Sequence, residues 1–308
     1  MERFKNGDRV CFVGDSITAQ NRYVAHITDY YKTNFPNEDV KIFNCGISGG
    51  MASVLLKYFD EDVASHNPTH IFIMLGVNDS RHYLLDLEKN AERYEKLSAF
   101  YEEYKENLTA LCEKSEKTGA KVTLITPVPY DEYQECDTHA NKGGFALLLG
   151  YANFVKTLAA KKKLDFIDTH TFMTRHMQEE VLYDSDRIHP NDRGQYFIAK
   201  CILENMGLDI GDFKPIPEYL DEWRGAVFTY RRLYAVEHMI LGNADRTTEE
   251  KLDFVKKYLD GKEYIVKERS DSLNTLFKAL AELYLEIKPH QSESFLEIDA
   301  LFDKIIAK

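Results

Sequence analysis

Four short clusters along the 308-residue chain carry side chains suited to chemistry on an acyl group. Gly14-Asp15-Ser16-Ile17-Thr18 offers a hydroxyl, and the run Asn44-Cys45-Gly46-Ile47-Ser48-Gly49-Gly50 offers glycine N–H groups. Gly76-Val77-Asn78-Asp79 adds a side-chain amide, and Asp186-Arg187-Ile188-His189 an imidazole with a carboxylate three residues upstream. A serine hydroxyl is a weak nucleophile at neutral pH unless a base lies within hydrogen-bond reach. His189 is the natural base, because imidazole changes charge near working pH. Asp186 can accept the other ring N–H, which fixes the tautomer and stabilises the imidazolium that forms. A tetrahedral intermediate further needs donors aimed at its oxygen. The N–H groups of Ser16 and Gly46 and the amide of Asn78 fit that role. Together these residues supply acyl transfer through an acyl-Ser16 intermediate.

Such a set works only if the chain brings the clusters together. Val10–Val13, Val40–Asn44, His70–Leu75, Lys121–Ile125 and Leu164–Ile167 are short apolar runs that predict buried parallel strands. Helical patterns alternate with them over Tyr23–Asn34, Ser53–Ala64, Ala91–Lys117, Tyr151–Lys162 and Asp192–Asn205. Gly119 and Gly207 stand just past two of these helices, where a left-handed cap is wanted. Alternating strands and helices predict an α/β fold, a three-layer α/β/α sandwich around a five-stranded parallel sheet. The first three clusters then follow the carboxyl ends of the first three strands, where loops of an open sheet converge on one crevice.

Gly14-Asp15-Ser16, Gly46, Gly76-x-Asn78-Asp79 and Asp186-x-x-His189 occur in that order within residues 8–207. They resemble the four signature blocks of the SGNH hydrolases, also called the GDSL esterase/lipase superfamily. The resemblance implies a flavodoxin-like sheet, a Ser/His/Asp triad, and hydrolysis of esters without a metal or organic cofactor. It makes Ser16 the nucleophile, His189 the base and Asp186 its orienter, with Ser16, Gly46 and Asn78 forming the oxyanion hole. The serine lies near the N-terminus and not in a G-x-S-x-G turn, which separates it from the α/β-hydrolase elbow.

The helical appendage that follows has no counterpart in that resemblance. Past Pro215 and Pro217 the pattern turns wholly helical, so residues 1–214 read as the hydrolase domain and 215–308 as a C-terminal helical extension. Its aromatic stripe, including Trp223, Tyr230 and Tyr234, reads as core packing against the α/β domain, and the extension as a lid or wall of the crevice or a homodimer interface. The formal net charge of −12 is spread along the chain, and no dense Lys/Arg stripe is present. Nucleic acid is therefore a poor partner. No apolar run approaches the length of a membrane span. Five scattered cysteines without a C-x-x-C pair, after a start with no leader pattern, predict reduced thiols in a cytoplasm. No metal is expected, since Pro68 separates His66 from His70 and His170 and His176 lack partners at zinc spacing.

The expected partner is a small-molecule ester. Met51, Tyr83 and Tyr130 are candidates for the substrate rim, as is Asp15, which also supports the nucleophile's loop. The polar, aromatic loop Pro127–Gly144 favours a short acyl group, such as acetyl, on a carbohydrate or other small polar ester. The alternatives are a lysophospholipase or thioesterase for longer chains, and a non-catalytic binding protein on the same fold.

Overall fold

The computed structural model describes residues 1–134 and 141–217. The helical extension, expected from residue 215, therefore lies outside the described residues from 218 onward, as does Cys136. Met1–Thr18 and Arg22–Pro215 form one compact unit. The strands are β1 (Arg9–Gly14), β2 (Lys41–Gly46), β3 (His70–Met74), β4 (Lys121–Ile125) and β5 (Asp165–Ile167). They form one parallel sheet, as the alternating pattern predicts, and its strand order is β2-β1-β3-β4-β5. The connection runs outward from β1 to β2 and then crosses back to β3. That reversal is the switch point at which crevices open in such sheets.

The helices are α1 (Ser16–Ala19), α2 (Arg22–Asn34), α3 (Ala52–Lys57), α4 (Phe59–Asp62), α5 (Ala91–Glu116), α6 (Gly144–Lys162), α7 (Thr169–His176) and α8 (Asp192–Glu204). On one face α8 packs against α2 and α7, and on the other α5 packs against α3 and α6. Between the layers, Phe12 of β1 stacks on Phe72 of β3 at 5.1 Å and meets Tyr23 of α2 edge-on at 5.7 Å. These rings are essentially inaccessible to water, and such a contact adds about 0.5–1.5 kcal/mol beyond the area it buries. Gly119 and Gly207 have φ of +80° and +72°, the left-handed geometry that their positions after α5 and α8 predict.

Three helices depart from the sequence pattern. The segment expected as one helix over Ser53–Ala64 breaks at Tyr58 into α3 and α4, with a 3-10 turn at Ala64–His66. α6 begins at Gly144, seven residues before the expected Tyr151. No local residue caps its start; instead Glu132 Oε1 accepts the N–H groups of Gly143 (2.5 Å) and Phe145 (3.2 Å). α7 has no counterpart in the expected elements. It is short, and Asp168 caps it by accepting the Thr171 N–H at 3.1 Å.

Candidate active site

Strand register does the first part of the assembly. Gly14, the last residue of β1, pairs with Gly46 of β2 on one side and Met74 of β3 on the other. Three of the clusters therefore leave the sheet from the same rung. The approach is tight at Gly14, where a Cβ would stand 2.1 Å from Thr18 Oγ1 and 3.0 Å from the Met74 carbonyl oxygen. Only glycine lets the chain turn directly into Ser16, the first residue of α1. The Ser16 N–H thus belongs to the donors that a helix start leaves without an intrahelical partner.

The chain after β3 is held from two helices behind it. Buried Tyr104 of α5 donates to the Leu75 carbonyl at 3.0 Å, and Tyr151 of α6 to the Asp79 carbonyl at 3.3 Å. Ser80 N–H closes the turn on the Gly76 carbonyl at 3.0 Å. Asn78 faces the neighbouring loop, donating from Nδ2 to the Gly50 carbonyl at 3.0 Å. One of its two amide hydrogens remains for a ligand.

The fourth cluster is a pinned loop just before α8. Tyr183 pairs with Pro190 in an antiparallel bridge, and Asp184 N–H donates to the His189 carbonyl at 2.9 Å. Asn191 caps α8 through the Gly194 N–H at 3.0 Å and ties back to the Val181 carbonyl at 2.9 Å. His189 is thereby presented to Ser16. Its Nε2 lies 2.7 Å from Ser16 Oγ, and its Nδ1 lies 2.6 Å from Asp186 Oδ2. The structure thus brings Ser16, His189 and Asp186, drawn from opposite ends of the hydrolase region, into one unbroken hydrogen-bonded chain.

The charges follow from these contacts. Burial raises the Asp186 pKa, but the His189 ring and the N–H groups of His189 (2.9 Å) and Ile188 (3.0 Å) outweigh it, and the pKa falls to about 2. Burial lowers the pKa of His189, but the hydrogen bond and charge of Asp186, with help from Asp15 and Asp184, leave it raised above 6.5. Burial pushes Asp15 up to about 6 and Asp79 up to about 7, each against one N–H from another residue. Those donors are Ile17 for Asp15, at 3.0 Å, and Ala52 for Asp79, at 2.9 Å.

Several expected roles need correction. Gly46 N–H donates to the side chain of its neighbour Asn44, at 2.9 Å, so it is not a free oxyanion donor. Asn44 also donates from Nδ2 to the Thr18 carbonyl at 2.7 Å, joining the β2 loop to the turn that carries Ser16. The uncommitted N–H groups lie further along, on the crest at Ser48 and Gly49, where they meet no described acceptor. Nothing in sequence separates these donors, since they differ only in what their neighbours accept. Asp15 is 2% exposed and Tyr130 0%, so both sit beneath the surface and neither is placed to meet a ligand directly. Met51 is half-buried at the entry to α3, and Tyr83 is 55% exposed. His66 stacks on Phe43 at 4.1 Å, and among the described residues no group of three His, Cys, Asp or Glu is placed to hold a metal.

Residues 12–196 match the GDSL-like lipase/acylhydrolase family. The chain belongs to that family. It is an SGNH-type carboxylic ester hydrolase, and its relatives agree with that chemistry. An acetylxylan esterase from Geobacillus stearothermophilus is 27% identical over 224 residues, 66% of this chain and 96% of the relative. The solved structure of an acetylxylan esterase from the same organism superposes with a TM-score of 0.57 at 22% identity, over 68% of this chain and 99% of that one. A gut microbial diltiazem-metabolizing enzyme superposes with a TM-score of 0.71 at 18% identity, covering 100% of this chain and 96% of its own. At these identities the two structures speak for the fold alone. Among the described residues, no helix of this SGNH hydrolase is long and apolar enough to cross a membrane.

Proposed function

We propose that this hydrolase removes acetyl or other short acyl groups from a carbohydrate or similarly polar ester, using Ser16 as nucleophile. The observation that carries the mechanism is the Ser16–His189–Asp186 chain, with contacts of 2.7 and 2.6 Å. His189 takes the Ser16 proton as Oγ attacks the carbonyl carbon and the carbonyl π pair moves onto oxygen. The intermediate collapses when His189 returns that proton to the leaving alcohol. Water then repeats the sequence on the acyl-enzyme, releasing the acid and Ser16. Asn78 and the Ser16 N–H supply two oxyanion donors, and an N–H from the Ser48–Gly49 crest supplies the third in place of Gly46.

The acetylxylan esterase likeness, which spans nearly the whole of that relative, supports a short acyl group on a sugar. The exposed ring of Tyr83, next in sequence to His82, suits the apolar face of a sugar ring. The test is hydrolysis of p-nitrophenyl acetate, p-nitrophenyl decanoate and acetylated xylo-oligosaccharides by the wild type beside Ser16→Ala. Preference for acetyl, with loss of about 10⁴-fold or more in kcat in the folded variant, is the expected result. Preference for decanoate would replace the short-acyl reading, and an equally active variant would remove Ser16 from the mechanism.

A further inference from the structure

Asp15 stands at the centre of the site, yet acyl transfer by the triad assigns it no step. It directly precedes the nucleophile, and its carboxylate is almost wholly removed from water. Oδ1 accepts the Ile17 N–H at 3.0 Å. Among the described residues no lysine or arginine forms an ion pair with it. A carboxylate so buried ordinarily takes up a proton unless a cation faces it.

The groups that face Asp15 are few. Asp15 opposes the ionisation of Asp79 in the turn after β3, and Tyr23 approaches from α2. His189, across Ser16, favours it. His189 is in turn faced by Asp186 and Asp184 of its own loop, by Asp15, and by His82 of the 3-10 turn His82–Asp86. The cation that can pair with Asp15 is therefore the one created during the reaction. When the Ser16 proton moves to Nε2, the imidazolium is bonded to Asp186 through Nδ1 and to Ser16 through Nε2, and Ser16 directly follows the buried carboxylate of Asp15.

We propose that Asp15 is a positioning residue acting through His189, a second counter-charge that stabilises the imidazolium from the nucleophile's side. Asp15 takes no proton from Ser16 and forms no bond to substrate. The proposal rests on the serine-triad reading above. Its sign is definite. A negative charge here raises the proton affinity of His189, so removing it lets the base stay neutral to lower pH.

The deciding variant is Asp15→Asn, whose amide oxygen still accepts the Ile17 N–H while the charge is gone. The acid limb of kcat/KM on p-nitrophenyl acetate is expected to move to lower pH, with the plateau falling on the order of tenfold. A carboxylate that merely shapes the turn would lower the plateau and leave the limb in place, and that result would overturn the proposal. An NMR titration of the His189 ring, identified by its loss in His189→Gln, reads the same shift without turnover. An inert wild type would sink the esterase reading on which the proposal rests, whereas an active wild type whose His189 titration is unchanged in Asp15→Asn would overturn the proposal alone. Asp15→Ser, which also leaves a small acceptor, repeats the comparison if Asp15→Asn does not fold. Failure of both to fold would assign Asp15 a purely structural role.

Discussion

On the base side of the site Asp186 is half-exposed and firmly ionised, whereas on the nucleophile side Asp79 is buried and close to half-protonated at neutral pH. The difference follows from depth and donors together. Asp186 collects three N–H groups, two from its own loop backbone and one from the His189 ring, and its pKa falls to about 2. Asp79 has one N–H from another residue on Oδ1, while its buried Oδ2 has no partner, and its pKa rises to about 7. Each additional donor stabilises the anion, and desolvation prevails where donors are lacking. The base side thus holds a permanent anion for an imidazolium to form against, and the other side holds carboxylates poised between two states.

The most severe way to break this contrast is to remove the permanent anion. Asp186→Asn presents an amide to Nδ1 and favours the wrong tautomer, so kcat is expected to fall about 10⁴-fold with the fold retained. A loss under tenfold would show that another carboxylate, such as Asp184, substitutes for it. In the wild type the same geometry fixes the acid behaviour. His189 must be neutral to act, and its pKa is raised, so activity is lost as pH falls through a value above 6.5. A kcat/KM profile whose acid limb lies below 6.5 would contradict the ion pair.

On the nucleophile side the corresponding loss is smaller, because several donors share the oxyanion. Asn78→Ala removes one of them and is expected to lower kcat by about 100- to 1,000-fold with little change in KM. Asn78 also fixes the Gly50 carbonyl, so Asn78→Ser tests whether a shorter donor that cannot reach Gly50 recovers any rate. Recovery would assign the amide's role to the oxyanion, and no recovery would assign it to the loop contact.

Asp79 sharpens the comparison through stability. Its folded pKa of about 7 exceeds the ordinary 3.8, so between these values the folded state binds more protons than the unfolded state. Stability is therefore lost as pH rises through that window. Asp79→Asn cannot ionise, and its advantage over the wild type should grow by about 2–3 kcal/mol between pH 5 and pH 8 in urea unfolding. A difference that does not change with pH would mean that Asp79 is ionised throughout.

How legible these two sides are in sequence differs for the same physical reason. Asp186 and His189 are three residues apart, so the base side is a local motif and reads directly from the string of residues. The strands are equally plain, because continuous apolar runs between helical patterns leave few alternatives to a parallel sheet. The nucleophile side depends on register and on side chains that meet across loops. Gly46 is a fair candidate donor until Asn44 is seen to occupy its N–H. Asp15 and Asp79 look like loop carboxylates until burial gives them perturbed proton affinities. The start of α6 fails for a related reason, since its cap, Glu132, lies 11 residues before Gly143 in sequence and not beside the helix.

Tyr83 and Tyr130 show the same limit at the rim and carry the mildest test. Both follow strand ends and both suit a substrate wall, yet one ring is open to solvent and the other is fully enclosed. An exposed ring can stack on a sugar, a contact worth about 1 kcal/mol, while a buried ring can only support the wall. Tyr83→Ala should therefore raise KM for acetylated xylo-oligosaccharides roughly fivefold and leave hydrolysis of p-nitrophenyl acetate unchanged, because that ester has no sugar to lose. An equal rise for both esters would place Tyr83 against the acyl group. No rise for either would move the sugar to another part of the rim, and the exposed tyrosine would then have no part in choosing the substrate.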